Sequence, residues 1–200
     1  MTDKLVDLEY LRNEIDHKGI YRCAPGTKIP GKIENTYYRW QFYLRRCMYD
    51  PKFVNVAAEL LVDKLGSLEV QIGACEDAGV ALGLAMAQKL KTPMFSIKKK
   101  PKEYGLKNVL EGPIIGLPVL LVDDVAGSQI TLRNSRTLLQ KLGIPVAPEY
   151  ATLVNKTINT HDSYLHGMKL ISLFTCNDFK MRWDDYINEY KRTPDFGIIY

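Results

Sequence analysis

The chain has little of what builds disulfide scaffolds or metal centres. Its four cysteines, Cys23, Cys47, Cys75 and Cys176, show no C-x-x-C spacing and read as dispersed reduced thiols. Of three histidines, the closest pair, His161 and His166, lies five apart with no cysteine cluster beside it, which argues against a zinc site. No apolar run approaches the roughly 20 residues that cross a bilayer. Met1 to Asp7 is polar and lacks the core of a signal peptide. Internal repeats and low-complexity tracts are absent too. The charge balance is modest, +4 at pH 7, with one basic block, Lys98-Lys99-Lys100-Pro101-Lys102. Such an excess suits an anionic small molecule as well as nucleic acid. These absences lead us to expect a soluble, cytoplasmic protein with no membrane partner.

What is present is an ordinary globular composition, 46% hydrophobic and 25% charged over 200 residues. That length suits one domain, or one domain with a small appendage. The most informative stretch runs from Val119 to Thr131. Four apolar residues, Val119 to Val122, read as a strand buried on both faces, and they lead directly into Asp123 and Asp124. A turn of mostly polar or small residues follows, then a helical pattern from Leu132 to Leu139. Open α/β sheets bind ligands where a strand's carboxyl end meets a helix amino terminus. Free N–H groups and the helix dipole favour a phosphate there, and paired carboxylates suit the hydroxyls of a ribose or a magnesium ion. A plainer reading has one aspartate capping the helix.

Elsewhere, Thr2-Asp3 starts a helix with a Leu5, Leu8, Leu11, Ile15 stripe, ended by Gly19. Residues 21–35, with two prolines and two glycines, read as irregular or hairpin structure. An aromatic cluster follows, Tyr37, Tyr38, Trp40, Phe42 and Tyr43, interleaved with Arg39, Arg45 and Arg46. It could stack a planar base and hold an acid group, or pack as core with its arginines directed outward. Asp50-Pro51 opens a helix to Lys64. A strand is predicted over Leu68–Ile72, a turn over Gly73–Gly79 and a helix over Val80–Lys89. Further strands are predicted over Pro93–Ile97, Tyr150–Val154 and Lys169–Phe174, with a last helix over about Asp178–Tyr190 that places Phe179, Trp183 and Ile187 on one face. Strands alternating with helices predict a Rossmann-like α/β fold, a parallel sheet with helices on both faces.

Two motifs carry a family resemblance over about residues 50–156. Asp123-Asp124-Val125, with Ala126, Gly127, Ser128, Gln129 and Ile130 leading to Thr131, resembles the signature of type I phosphoribosyltransferases. Lys98-Lys99-Lys100-Pro101-Lys102-Glu103-Tyr104-Gly105 resembles the mobile catalytic loop of the orotate branch, Arg-Lys-x-x-Lys-Asp-His-Gly. Lys99, Lys102 and Gly105 match directly, while Lys98 replaces Arg and Tyr104 replaces His. Three departures stand out. Glu76 and Asp77 occupy the family's pyrophosphate loop, which normally offers backbone amides and often a cation. They could instead cap the next helix. Gln129 and Ile130 stand where the phosphate loop prefers small residues. Lys156 occupies the position of an Arg that holds the orotate carboxylate, without that residue's bidentate fork.

The resemblance implies a type I phosphoribosyltransferase fold, with residues 1–50 as an amino-terminal helix and hood and residues 51–200 as the core domain. It implies transfer of phosphoribose from phosphoribosyl pyrophosphate to a nitrogenous base, orotate first, with magnesium as cofactor and pyrophosphate released. Asp123 and Asp124 would hold the ribose, Asp124 nearest the reacting centre. Lys98, Lys99 and Lys102 would face pyrophosphate, and Lys102 would stabilise the departing charge. Loop closure over a neighbouring subunit's site implies a homodimer, and a nucleic-acid partner is not expected. The departures support an alternative, a regulatory protein that kept the fold and senses phosphoribosyl pyrophosphate or binds nucleic acid.

Overall fold

The computed structural model describes residues 2–30, 37–99, 108–127, 129–156, 164–165, 167–179 and 186–187. Helix α1 (Thr2–Glu14) continues into a wider π-helical turn over Ile15–Gly19. Leu11 and Ile15 are fully buried and Leu8 packs beside them, but Leu5 is 65% exposed, so the apolar stripe seats only the carboxyl half. Short strands β1 (Ile20–Arg22), β2 (Ile29–Pro30), β3 (Tyr37–Tyr38) and β4 (Trp40–Phe42) follow, then the single turn α2 (Arg45–Met48). Helix α3 (Pro51–Leu65) begins as its sequence dictates. Asp50 Oδ1 accepts from the N–H of Lys52 at 2.9 Å, and Pro51 fills the first helical position.

The core alternates strands and helices: β5 (Gln71–Cys75), α4 (Gly79–Leu90), β6 (Met94–Ile97), β7 (Leu110–Glu111), β8 (Val119–Ala126), α5 (Ile130–Lys141), β9 (Val146–Asn155), β10 (Tyr164–Leu165) and β11 (Met168–Thr175). These strands form a seven-stranded sheet in the order β10-β11-β9-β8-β5-β6-β7. Every pairing from β11 to β6 is parallel, and the two edge strands run antiparallel. Along β8, Leu120 and Val122 join the cluster under α3 and α4, while Val119 and Leu121 join the cluster under α5. The four-residue apolar run is therefore buried on both faces, as a central parallel strand requires. Gly73 makes the packing against β8 possible, because a Cβ there would lie 2.5 Å from Val119 Cγ1. Among the described residues, no helix is long and apolar enough to cross a membrane.

The structure corrects several sequence expectations. The first core strand lies at Gln71–Cys75 rather than Leu68–Ile72, so the predicted turn shrinks to residues 76–78. Strand β8 runs on through both aspartates to Ala126, because β9 offers partners that far, with Asp123 opposite Thr152 and Ala126 opposite Asn155. The predicted last helix is not what the described residues form. Cys176–Phe179 is a 3-10 turn, and Tyr186–Ile187 is a strand, β12, paired antiparallel with β3. Asp178 turns its carboxylate back to the N–H of Thr175 at 2.6 Å instead of starting a helix forward. Phe179 is buried against Phe42, with ring centroids 5.5 Å apart. Trp183 lies outside the described residues.

Candidate functional site

Taken in chain order, the five parallel strands β5, β6, β8, β9 and β11 lie in the spatial order 2-1-3-4-5. The order reverses between β5 and β8, and doubly wound sheets open a crevice at that switch point, outside the carboxyl ends of the strands. A cleft of about 420 Å³ lies there. Its floor is the end of β5 (Glu76, Asp77) and the end of β8 with the loop into α5. Its far wall carries Tyr38, Gln41, Tyr43 and Arg45 from the amino-terminal segment. A volume of this size holds a small molecule rather than a polymer.

The aspartate pair sits at the crevice with neither carboxylate spent on a helix. Asp123 Oδ1 accepts from the N–H of Asp124, and Asp124 Oδ1 from the N–H of Val125, both at 2.9 Å. The residue before α5 is Gln129, which makes no side-chain cap, so the plainer reading of the aspartates as caps does not hold. Burial pushes the Asp123 carboxyl well above the ordinary carboxylate range, and the neighbouring Asp124 charge raises it further. Close packing holds this edge in place: a Cβ on Gly79 would stand 3.0 Å from Asp123 Cα. Behind the pair, burial pushes the Cys75 thiol up to about 12, so it is an inert interior group.

At the end of β5, Glu76 N–H donates to the carbonyl of Ile97 at 3.0 Å, tying this loop to β6. Neither Glu76 nor Asp77 caps α4, whose preceding residue is Ala78 with no side-chain cap. Asp77 instead pairs with Arg45, Nη2 to Oδ2 at 2.6 Å. The sequence reading noted Arg45 only within the aromatic cluster. Its partner stands 32 residues away, and no local pattern announces such a pairing.

At the α5 end, Gln129 adopts a left-handed backbone (φ 56, ψ 10) and accepts a hydrogen bond from Tyr150 OH to Oε1 at 2.8 Å. Val125, Gly127, Ile130 and Thr131 also line the cleft, whereas Ala126 is fully buried. The Ala126 carbonyl accepts from Lys156 N–H at 2.7 Å, which brings Lys156 to the cleft beside β8. Lys156 Nζ lies 4.5 Å from the Tyr38 ring centroid and 4.6 Å from that of Trp40. The aromatic cluster thus divides. Trp40 is buried in the core, edge-on to Phe42 at 5.4 Å, while Tyr38, Tyr43 and the largely buried Phe42 line the cleft.

Of the lysine block, Lys99 lines the cleft. Lys98 is buried and ion-paired with Glu111 where β6 meets β7, and does not line it. Lys102, Tyr104 and Ser128 lie outside the described residues. Asp123, Asp124, Glu76, Asp77, Lys99, Gln129 and Lys156, far apart in the chain, do meet in one crevice. Among the described residues, no group of three or more His, Cys, Asp or Glu side chains is placed to cage a metal.

Comparison with known proteins bears on this crevice. No family model matches the chain. It is 26% identical over 116 residues to the orotate phosphoribosyltransferase of Methanocaldococcus jannaschii, covering 58% of this chain and 64% of that protein. With the Staphylothermus marinus enzyme of the same name, identity is 29% over 141 residues, covering 68% and 63%. The matches therefore span just under two thirds of these relatives' own length. Among solved structures, Mycobacterium tuberculosis orotate phosphoribosyltransferase in complex with phosphoribosyl pyrophosphate superposes with a TM-score of 0.64 at 15% identity, over 86% of this chain and 91% of that one. The fold is that of the type I phosphoribosyltransferases, and the relatives in sequence named above are orotate enzymes.

Proposed function

We propose that this protein transfers the phosphoribosyl group of phosphoribosyl pyrophosphate to a nitrogenous base, orotate first, giving orotidine monophosphate and pyrophosphate. The observation that carries this reading is the adjacent Asp123 and Asp124 at the switch point, facing an uncapped α5 terminus across one small cleft. Displacement at the anomeric carbon builds positive charge on the sugar and negative charge on the leaving group. A site for it needs anions beside the ribose and cations beside the diphosphate. Asp123 and Asp124 meet the first need, with Asp124 nearest the reacting carbon. The amides of the α5 terminus suit the 5-phosphate. Lys99 and Arg45 meet the second need on the β5 side, joined by Lys102 from the basic loop. Arg45 beside Asp77 supplies there the cation that the acidic loop lacks. Lys156, set over two aromatic rings, presents one positive charge for the acid group of a base.

The donor set suits magnesium. Asp123 and Asp124 offer only hard oxygen ligands. A site with one or two carboxylates is typical of a cation that shares its coordination with substrate phosphates. Bound there, magnesium would neutralise diphosphate charge. We also propose a homodimer with a shared site, as the resemblance of the basic loop to that of the orotate branch implies. The reading is tested by incubating phosphoribosyl pyrophosphate and magnesium with orotate, adenine, hypoxanthine and uracil, and measuring pyrophosphate release. Release with orotate alone is expected, and no release with any base would overturn it. Calorimetric binding of phosphoribosyl pyrophosphate without product would favour the regulatory alternative.

A further inference from the structure

We propose that Gln129 contacts the ligand's 5-phosphate directly through its side-chain amide, and that Tyr150 orients it for that task. The inference rests on the phosphoribosyl reading above. Gln129 is only 6% exposed, yet lines the cleft at the amino terminus of α5. Its carbonyl accepts from the N–H of Arg133 at 2.9 Å, fixing the residue as the start of the helix. Its side chain caps nothing, so the first amides of α5 are left for an anion.

A buried polar side chain at such a place needs an account, and the Tyr150 hydroxyl gives half of it. That hydroxyl donates to Oε1 at 2.8 Å from a ring that is 2% exposed on β9. Burial pushes the Tyr150 phenol up to about 12, so it remains a donor at any working pH. A carboxamide has one acceptor and one two-proton donor. With Oε1 held by the phenol, Nε2 is the atom left for the cleft, and it makes no hydrogen bond to any of the described residues. The left-handed backbone at Gln129 serves the same end, since it turns a long side chain inward where a glycine would present nothing. A phosphomonoester at the helix terminus would then receive backbone N–H groups and one Nε2–H donor. Gln129 in place of a small residue is, on this account, a gained contact. Tyr150, which does not reach the ligand, is a positioning residue.

Calorimetry of the full chain with ribose 5-phosphate, on wild type, Tyr150→Phe and Gln129→Glu, tests this. Circular dichroism and thermal melts verify the fold of each variant. Tyr150→Phe keeps the ring and frees the amide to rotate, and it should weaken binding about fivefold. Gln129→Glu places a negative charge against the phosphate and should weaken it by more than about twentyfold. In steady state both variants should raise KM for phosphoribosyl pyrophosphate and leave KM for the base within about twofold, a split that general loosening of the fold would not produce. If wild type binds no ribose 5-phosphate at millimolar concentration, the phosphoribosyl reading itself fails. If wild type binds it and both folded variants match wild type, Gln129 makes no phosphate contact. Loss in Gln129→Glu alone would overturn the orienting role of Tyr150.

Discussion

Asp123 and Asp124 are adjacent in sequence, yet the fold treats them differently. Asp123 is buried with its carboxyl raised, and Asp124 stands half-buried at the cleft. Asp124→Asn keeps the shape and removes the charge beside the ribose, so turnover should fall by more than about tenfold in the pyrophosphate-release assay. Unchanged turnover would remove that carboxylate from the chemistry. Asp123 leads to a prediction about stability. Its folded pKa lies above its unfolded value, so the folded state holds the proton more tightly. The stabilisation is fully present below the unfolded pKa of about 3.9 and is lost as pH rises through the raised folded value. Asp123→Asn retains the acceptor for the Asp124 N–H and has no proton to lose. Its melting temperature should exceed wild type at pH 7 and match it near pH 3, while binding of phosphoribosyl pyrophosphate weakens. A melting difference that does not change with pH would contradict the raised carboxyl.

At the scale of elements, the site depends on α4 lying close against β8. A Cβ on Gly79 would stand 3.0 Å from both Asp123 Cα and the Val122 carbonyl, backbone atoms that cannot rotate away. Gly79→Ala should therefore cost roughly 1–3 kcal/mol in denaturant unfolding. It should also weaken ribose 5-phosphate binding, because the displaced backbone carries Asp123. An alanine variant with wild-type stability and binding would show that α4 is free to shift.

Elements with a strong local signal were legible in the sequence, as α3 with its Asp50 cap and the apolar run of β8 were. The boundaries of β5 were not. Leu68-Glu69-Val70-Gln71-Ile72 alternates convincingly, yet the strand takes Gly73, Ala74 and Cys75, residues of weak strand preference. Pairing with β6 and β8 decides there, and Gly73 is small because Val119 lies behind it. The same holds past Phe179, where a helical spacing gives way to a strand whose partner is Tyr37–Tyr38. In the site, the motif residues were legible because their spacing is local. Arg45 with Asp77 and Gln129 with Tyr150 were not, since each pair joins positions 32 and 21 residues apart.

For the whole molecule, the crevice draws on segments far apart in the chain. Its far wall comes from Pro30, Tyr38 and residues 41–45, and β12 at residues 186–187 pairs with β3 of that same amino-terminal layer. The core sheet supplies the carboxylates and the phosphate end, while the remaining cations come from α2 and the basic loop after β6. A site assembled this way is open to completion by a second copy, and the proposed homodimer can be tested through function. Lys102→Ala alone should lower turnover by about a hundredfold, as expected for a cation worth roughly 3 kcal/mol against developing charge, with phosphoribosyl pyrophosphate affinity nearly intact. Mixing Lys102→Ala with Asp124→Asn protein then separates the arrangements. If Lys102 serves the neighbouring subunit, one site of each mixed dimer holds both wild-type groups and activity returns towards a quarter of wild type, on random exchange, well above either variant. If Lys102 serves its own subunit, mixing restores nothing, because every site lacks one group. Native mass spectrometry of tagged chains verifies the exchange, and a fully active Lys102→Ala protein would remove the basic loop from the chemistry.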